Sequence, residues 1–223
     1  MSESVSALGS LHVVARSSAE IGPGIEHTEI YTPHGLLTMF EHRPVGARDT
    51  AIVACGGAMG GVLGPGHALY HRLGEQWSAR GVAVYRVGYR MPNDLDRCAH
   101  DVACAVETAV QAGAERVVVM GHSFGGAVAV RVAVVMTADI AGVVTFATQS
   151  AGCEVAGALA GRPLLLFHGD QDELLPMQSS EMVQMLAGHG DLVVLPNDGH
   201  LLGRSDDAIV ERLDEWLPGV LGL

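Results

Sequence analysis

The chain has 223 residues, of which 48% are hydrophobic and 17% are charged, so it can bury a sizeable core in a single domain. Its 13 basic residues are all arginine and face 25 acidic residues, which gives a net charge of −12. Such a surface repels nucleic acid and anionic lipid, so neither is expected as a partner. No apolar run approaches the roughly 18 residues of a membrane span. The four cysteines form no CxxC pair. We therefore expect a cytoplasmic protein with reduced thiols.

The predicted elements follow a polar start. Residues 1–25 are expected to be a partly flexible lead-in, followed by one domain over residues 26–223. A hairpin is predicted around His34 and Gly35. Six later apolar, β-branched runs predict buried strands: AIVACGG, VAVYRVGY, RVVVMGH, IAGVVTFAT, PLLLFHGD and DLVVLPN. Segments of helical period separate these runs, which predicts an α/β fold: a mostly parallel sheet of about eight strands with helices on both faces.

The strongest chemical signal is GHSFGG, Gly121 to Gly126, between the strand RVVVM and a helix that is apolar nearly all round. A sharp turn from strand to helix requires small residues on both sides of a strained nucleophile. Such a turn would expose the Ser123 hydroxyl and direct the N–H of Phe124 toward a developing oxyanion. The same residues also suit a serine N-cap on a glycine-rich turn.

A serine hydroxyl becomes nucleophilic only with a base and an acid that orients the base. Asp172 follows the strand PLLLFHGD, and His200 follows the strand DLVVLPN. The carboxyl ends of parallel strands meet at one edge of a sheet. Ser123, Asp172 and His200 are therefore predicted to converge there.

These motifs resemble the α/β-hydrolase family from about residue 26 onward, in the order Ser, acid, His. The residues that carry the resemblance are GHSFGG, HGDQDELLP, the loop CGGAMGG and the late Gly199–His200 pair. In size the chain resembles compact dienelactone hydrolases, which carry cysteine where this chain has Ser123. The resemblance implies Ser123 as nucleophile, His200 as general base and then acid, and Asp172 as the residue that orients the imidazole. This chemistry needs no cofactor, and His67 and His71, four apart on a predicted helix, lack a third ligand, which disfavours a metal site.

Other carboxylates and histidines lie near these positions. The family's HGxxD spacing favours Asp172 over Asp170, and Glu173 is expected to be solvated. Asp198 is too near His200 along the loop to reach across its ring. His122 and His168 are interpreted as structural residues.

The second oxyanion donor is expected in the loop CGGAMGG, where alignment on the family's usual His-Gly-x assigns the backbone N–H of Ala58. Gly56 stands where the family has histidine, which leaves the loop less braced, so Gly57 remains an alternative donor. The same loop superficially suggests a dinucleotide site. Its glycines do not fall in G-x-G-x-x-G register, which disfavours that alternative.

The segment between IAGVVTFAT and PLLLFHGD is too short for a lid domain, so an open site is expected. Six apolar residues are predicted to bind substrate: Met59, Leu63, Met91, Leu174, Leu175 and Leu201. The expected function is hydrolysis of small or medium, partly apolar carboxylic esters through an acyl-enzyme intermediate. Thioesters, lactones, acyl transfer and cyclisation could use the same residues, and a non-catalytic ligand receptor is a less favoured alternative. The only expected partner is the small-molecule ester, and the sequence gives no oligomeric state.

Overall fold

A computed structural model of the chain describes residues 6–46 and 48–223. These residues contain one nine-stranded sheet in the order β1-β2-β3-β5-β4-β6-β7-β8-β9. The strands are β1 (Ala15–Gly22), β2 (Ile25–Thr32), β3 (Gly35–His42), β4 (Thr50–Cys55), β5 (Ala83–Gly88), β6 (Arg116–His122), β7 (Ile140–Phe146), β8 (Leu164–Gly169) and β9 (Asp191–Leu195). The helices are α1 (Leu69–Ser78), α2 (Leu95–Gln111), α3 (Phe124–Val135), α4 (Gln178–Ala187) and α5 (Asp206–Leu221). This architecture confirms the predicted fold class.

The sheet combines an antiparallel part with a parallel part. Strands β1, β2 and β3 pair antiparallel, and β3 pairs antiparallel with β5. All pairings from β5 to β9 are parallel. The predicted hairpin is present as β2 and β3, with Thr32 opposite Gly35. All six predicted strands are present as β4 to β9, but β9, at the edge of the sheet, is buried only at its last residue, Leu195.

The core consists of two apolar layers on opposite faces of the sheet. Successive strand side chains point to opposite faces, so Val53 and Cys55 of β4 belong to one layer and Ile52 and Ala54 to the other. Helices α2 and α3 contribute to the first layer, and α1 and α5 contribute to the second. Most of α3 is buried, as its apolar sequence predicts. Helices on both faces leave the carboxyl edge of the parallel strands for the connecting loops.

The lead-in differs from its prediction, because residues 15–22 form β1 of the same sheet. The side chains of β1 are exposed on both faces, apart from the half-buried last residue. The sequence ARSSAEIG therefore lacks the alternation that indicates a strand. The sheet begins at residue 15 and not at residue 26. The predicted flexible lead-in also includes residues 1–5, which lie outside the described residues.

The segment between β7 and β8 contains only a short 3-10 helix, Ala156–Leu159. Within residues 6–46 and 48–223, this connection forms no lid over the carboxyl edge of the sheet. None of the helices in this part of the chain combines the length and the apolar character that a bilayer crossing requires. The four cysteines are buried and form no disulfide with one another.

Candidate active site

Ser123 lies at the turn between β6 and α3 with a strained backbone. Its φ is +57° and its ψ is −118°, a combination that non-glycine residues rarely adopt. The Ser123 N–H donates to the carbonyl oxygen of Phe146 on β7, at 2.8 Å. The neighbouring strand thus holds the turn in place, and the turn has the geometry of a nucleophile elbow.

The glycines around Ser123 are required by close backbone contacts. A Cβ at Gly121 would overlap the carbonyl oxygen of Gly125, and a Cβ at Gly125 would overlap that of Gly56. A Cβ at Gly126 would overlap the side chain of Thr148. The turn is therefore packed directly against the loop that follows β4, as well as against the segment that follows β7.

Asp172 and His200 form a hydrogen-bonded pair. Asp172 follows β8, and its Oδ2 accepts from His200 Nδ1 at 2.8 Å. The Asp172 side chain is fully buried, and the His200 side chain is 7% exposed. With the Nδ1 proton directed at the carboxylate, the Nε2 of a neutral His200 ring is left as a base.

The surroundings of Asp172 favour its charged form. Burial alone would raise the pKa of Asp172, but the N–H groups of Leu175 and Leu174 and the His200 ring outweigh this effect, so the pKa lies below its ordinary value. The two backbone N–H groups donate to Oδ1, each at 2.8 Å. Asp172 is therefore a carboxylate at neutral pH.

The neighbouring carboxylates have other partners. Asp170 accepts from the N–H of Asn197 at 2.7 Å. Asp198 accepts from the N–H of Arg204 and braces the loop that contains His200. Glu173, expected to be solvated, accepts from the backbone N–H of His200 at 3.2 Å while remaining exposed. Among these four carboxylates, the His200 ring contacts Asp172 alone.

Ser123 and His200 line the same cavity. Within the described residues, no hydrogen bond joins the Ser123 hydroxyl to the His200 ring. The contact between a nucleophile and its base is often long before a substrate binds and shortens in the reacting complex. The side chains are thus brought to one site with the Asp172–His200 pair already formed.

The loop after β4 turns back at residues 57–60 beside Ser123. The Gly60 N–H donates to the carbonyl oxygen of Gly57 at 2.9 Å, which leaves Ala58 and Met59 at the tip of a tight turn. A Cβ at Gly56 would overlap the carbonyl oxygen of Gly61. A histidine at position 56, where the family's usual pattern has one, therefore does not fit this conformation of the loop.

Two buried tyrosines brace the same loop in place of a histidine. Tyr89 donates its hydroxyl to the carbonyl oxygen of Gly56 at 2.9 Å, and Tyr70 donates to that of Cys55 at 3.1 Å. Burial raises the pKa of both tyrosines, so both keep the proton that they donate. Ala58 and Gly57 both line the cavity, and a Cβ at Gly57 would lie 3.6 Å from the Ser123 Cβ. Both N–H groups thus remain candidate donors.

On sequence alone, His122 and His168 are interpreted as structural residues. In the structure, both lie in contact with predicted triad residues. His122 Nε2 lies 3.0 Å from the carbonyl oxygen of His200, and burial lowers the pKa of His122 to about 4, so its ring is neutral at pH 7. His168 Nε2 lies 3.2 Å from Asp172 Oδ2. The contact of His122 with the site could have been predicted from sequence, because His122 is next to Ser123. The contact of His168 with Asp172 could not, because the end of β8 lies between the two residues and a spacing of four has no meaning outside a helix.

The cavity beside Ser123 has a volume of about 630 Å³. Its lining consists of residues 56–64, His122, Ser123, Leu174, His200 and Leu201. None of these lining residues is Arg, Asp or Glu. A larger groove of about 920 Å³ lies between α1 and α5, but its lining is mainly carboxylates and contains none of the predicted site residues.

Four of the six predicted substrate-binding residues line this cavity, and all four are more than half exposed. They are Met59, Leu63, Leu174 and Leu201. Met91 and Leu175 lie outside the lining. Their carbonyl oxygens accept from Cys98 Sγ and from His168, respectively. The apolar rim therefore comes from three loops, which follow β4, β8 and β9.

Comparisons with known proteins agree with the observed fold. The model of the alpha/beta hydrolase family matches residues 61–200 of the chain. No curated protein sequence matches it. Among solved structures, Est1E from Butyrivibrio proteoclasticus gives a TM-score of 0.73 at 17% identity, covering 88% of this chain and 99% of that one. Dienelactone hydrolase from Anabaena variabilis gives a TM-score of 0.70 at 16% identity, covering 87% of this chain and 97% of that one. An esterase from Thermogutta terrifontis gives a TM-score of 0.67 at 16% identity, covering 89% of this chain and 93% of that one. At these identities the likeness establishes a shared fold.

Proposed function

Because the chain belongs to the alpha/beta hydrolase family, we propose that it is a serine hydrolase that cleaves carboxylic esters through an acyl-enzyme intermediate. One observation carries this proposal. His200, hydrogen-bonded to Asp172, lines a cavity that is also lined by Ser123 on a strained turn. A nucleophile, a base and an acid in these positions are the minimum set for acyl transfer through serine.

In the proposed reaction, the Ser123 Oγ attacks the ester carbonyl carbon while His200 Nε2 takes the hydroxyl proton. The bond to the alcohol oxygen then breaks, and His200 returns the proton to that oxygen. Water attacks the acyl-enzyme with His200 again as base, which releases the carboxylic acid and restores the serine. Asp172 remains ionised throughout and stabilises the imidazolium that forms twice in each cycle.

The negative oxygen of the tetrahedral intermediate needs donors that are in place before the reaction. We assign the N–H of Phe124, the first residue of α3, as one donor, since the first N–H groups of a helix lack partners within it. The second is the N–H of Ala58, with Gly57 as the alternative in the same braced loop.

The lining of the cavity supports a neutral, partly apolar substrate. Its described residues include no Arg, Asp or Glu, so nothing in the lining would pair with a charged group next to the ester. Met59, Leu63, Leu174 and Leu201 offer apolar surface to the acyl or alcohol group. In related structures, Est1E is seen with ferulic acid bound, and the Thermogutta terrifontis esterase is seen phosphorylated by paraoxon.

Short p-nitrophenyl esters and a fluorophosphonate probe test the proposal. The wild type should hydrolyse the ester and become labelled at Ser123. Ser123→Ala should abolish labelling and lower kcat by as much as about a millionfold, as removal of the serine does in subtilisin. Ser78→Ala, a change at the end of α1, serves as the control and should keep both activities. Labelling at a residue other than Ser123 would refute the assignment.

Three substrates that share one acyl group, an ester, a thioester and a lactone, identify the preferred leaving group when their rates of hydrolysis are compared. The mechanism above serves any activated acyl group, so the ratio of the three kcat/KM values decides among them. We expect the open-chain ester to give the highest value. A higher value for the thioester or the lactone would replace that part of the proposal and leave the roles of Ser123 and His200 intact.

A further inference from the structure

A second imidazole lies against Asp172, beside the one that the proposed mechanism uses. His168 is the fifth residue of β8 and is fully buried. Its Nε2 lies 3.2 Å from Asp172 Oδ2 and 3.1 Å from the carbonyl oxygen of Leu175. The same Oδ2 accepts the Nδ1 proton of His200. One carboxylate oxygen is thus approached by two histidine rings.

The surroundings of His168 fix the position of its proton. Both groups near Nε2, the carboxylate and the carbonyl, are acceptors, so Nε2 carries a hydrogen. The other ring nitrogen, Nδ1, lies 2.7 Å from the hydroxyl of Ser180, which is fully buried on α4. In a neutral ring, Nδ1 accepts the Ser180 hydroxyl proton. The acceptors at Nε2 therefore set the tautomer, and Ser180 fixes the orientation of the ring.

His168 also holds the loop that carries Asp172. Its Nε2–H donates to the carbonyl of Leu175, whose own N–H donates to Asp172 Oδ1 at 2.8 Å. Asp172, Leu175 and His168 thus form a closed set of contacts. Rotation of the carboxylate would break the contact at Oδ1, the contact at Oδ2, or both.

We propose that His168 is a positioning residue for Asp172. Its Nε2–H holds the carbonyl of Leu175, whose N–H fixes the carboxylate so that Oδ2 faces the Nδ1–H of His200. The inference rests on the proposed function. His168 gives and takes no proton during the reaction and touches no substrate, since it does not line the cavity. Its effect passes through the Asp172–His200 hydrogen bond alone.

Three variants test this role: His168→Leu, His168→Gln and His189→Leu. Leucine removes the N–H, so kcat for the p-nitrophenyl ester should fall by roughly tenfold to a hundredfold, by analogy with residues that orient the ligands of a metal site. KM should stay unchanged, because the cavity lining is intact. Glutamine places an amide N–H near the same position and should restore most of the loss. His189→Leu is the control. It also removes a histidine that contacts two backbone carbonyls, at 2.9 and 2.8 Å, but neither carbonyl belongs to the loop of Asp172, and it should leave kcat unchanged.

A spectroscopic measurement separates positioning from a general structural role. The proton between His200 and Asp172 should give a low-field NMR resonance in the resting enzyme, and His168→Leu should shift it while His189→Leu should not. Unchanged kcat in His168→Leu, or equal losses in the leucine and glutamine variants with an unmoved resonance, would overturn the inference. If His168→Leu does not fold, Ser180→Ala should give a smaller shift of the same resonance, and an unmoved resonance there would overturn it too. A wild type that binds the ester without hydrolysing it would end the proposed function, while the resonance would still report on His168.

Discussion

The two parts of the sheet differ in what their strands bury. Strands β4 and β8 are buried along their whole length, whereas β1 is exposed along nearly all of its length. Every residue proposed for catalysis follows a strand of the parallel part: Ala58 follows β4, Ser123 follows β6, Asp172 follows β8 and His200 follows β9. Each of these strands is buried at its last residue, β9 only there, so the loop that leaves it starts from a fixed point. The comparison predicts large effects at the carboxyl edge of the parallel strands and small effects in β1.

After the loss predicted above for Ser123→Ala, the largest effect is expected from Asp172→Asn. An amide keeps the shape of the side chain, but its NH₂ group cannot accept the Nδ1 proton of His200 and favours the wrong tautomer of the ring. By analogy with triads in general, kcat should fall by up to about ten-thousandfold. Steady-state hydrolysis of a p-nitrophenyl ester measures the loss.

Asp170→Asn is the matched control for this change. Asp170 lies two residues before Asp172 and accepts only a backbone N–H, from Asn197, among the described contacts of its side chain. It should therefore keep kcat within a small factor of the wild type. A large loss in Asp170→Asn together with a small loss in Asp172→Asn would show that the acid has been assigned to the wrong residue.

A smaller effect, on stability, is expected from two helical glycines. A Cβ at Gly125 would overlap backbone oxygen of the loop after β4, so Gly125→Ala should destabilise the protein by about 3 kcal/mol. Gly219 lies on α5 with nothing within 4 Å of an added Cβ, so Gly219→Ala should stabilise the protein by up to about 1 kcal/mol. Urea unfolding measures both. Equal effects of the two substitutions would contradict the close contact at the site.

The pH dependence of stability involves one histidine in each part of the sheet, His122 on β6 and His42 on β3. Burial is the largest cause that lowers the pKa of each to about 4, and for His42 the nearby charges of Arg86 and His71 add to it. In the unfolded chain, both would titrate near 6.5. Between pH 6.5 and 4 the unfolded chain binds more protons than the folded protein, so the free energy of unfolding should decrease as the pH falls through this window.

Thermal unfolding at pH 7 and pH 5 measures this decrease. His42→Leu removes one of the two groups without touching the predicted site residues, so the fall in Tm between the two pH values should be smaller than in the wild type. An equal fall in the variant would show that His42 does not contribute to the pH dependence.

The parallel part of the sheet was predictable from sequence because buried strands form apolar runs. The convergence of Asp172 with His200 was predictable for a related reason, since both follow such runs and parallel strands end at one edge. Neither the exposed strand β1 nor the bracing of the β4 loop by Tyr70 and Tyr89 leaves such a pattern. A strand exposed on both faces has no apolar period, and a contact between side chains far apart in the chain has no local signature. The catalytic roles of these residues remain predictions.

The smallest effect is expected in β1. Ala19 is exposed and pairs with His27 of β2, so Ala19→Lys should change the free energy of unfolding by less than about 0.5 kcal/mol and leave kcat unchanged. The same substitution in the parallel part, Ala54→Lys on β4, would bury an unpaired charge and should prevent stable folding, because Ala54 is 1% exposed. Urea unfolding of both variants, with ester hydrolysis of the folded one, checks the contrast. A loss of several kcal/mol in Ala19→Lys would mean that β1 contributes to the folded state through contacts that its exposed side chains do not reveal, and the division between the two parts of the sheet would then fail.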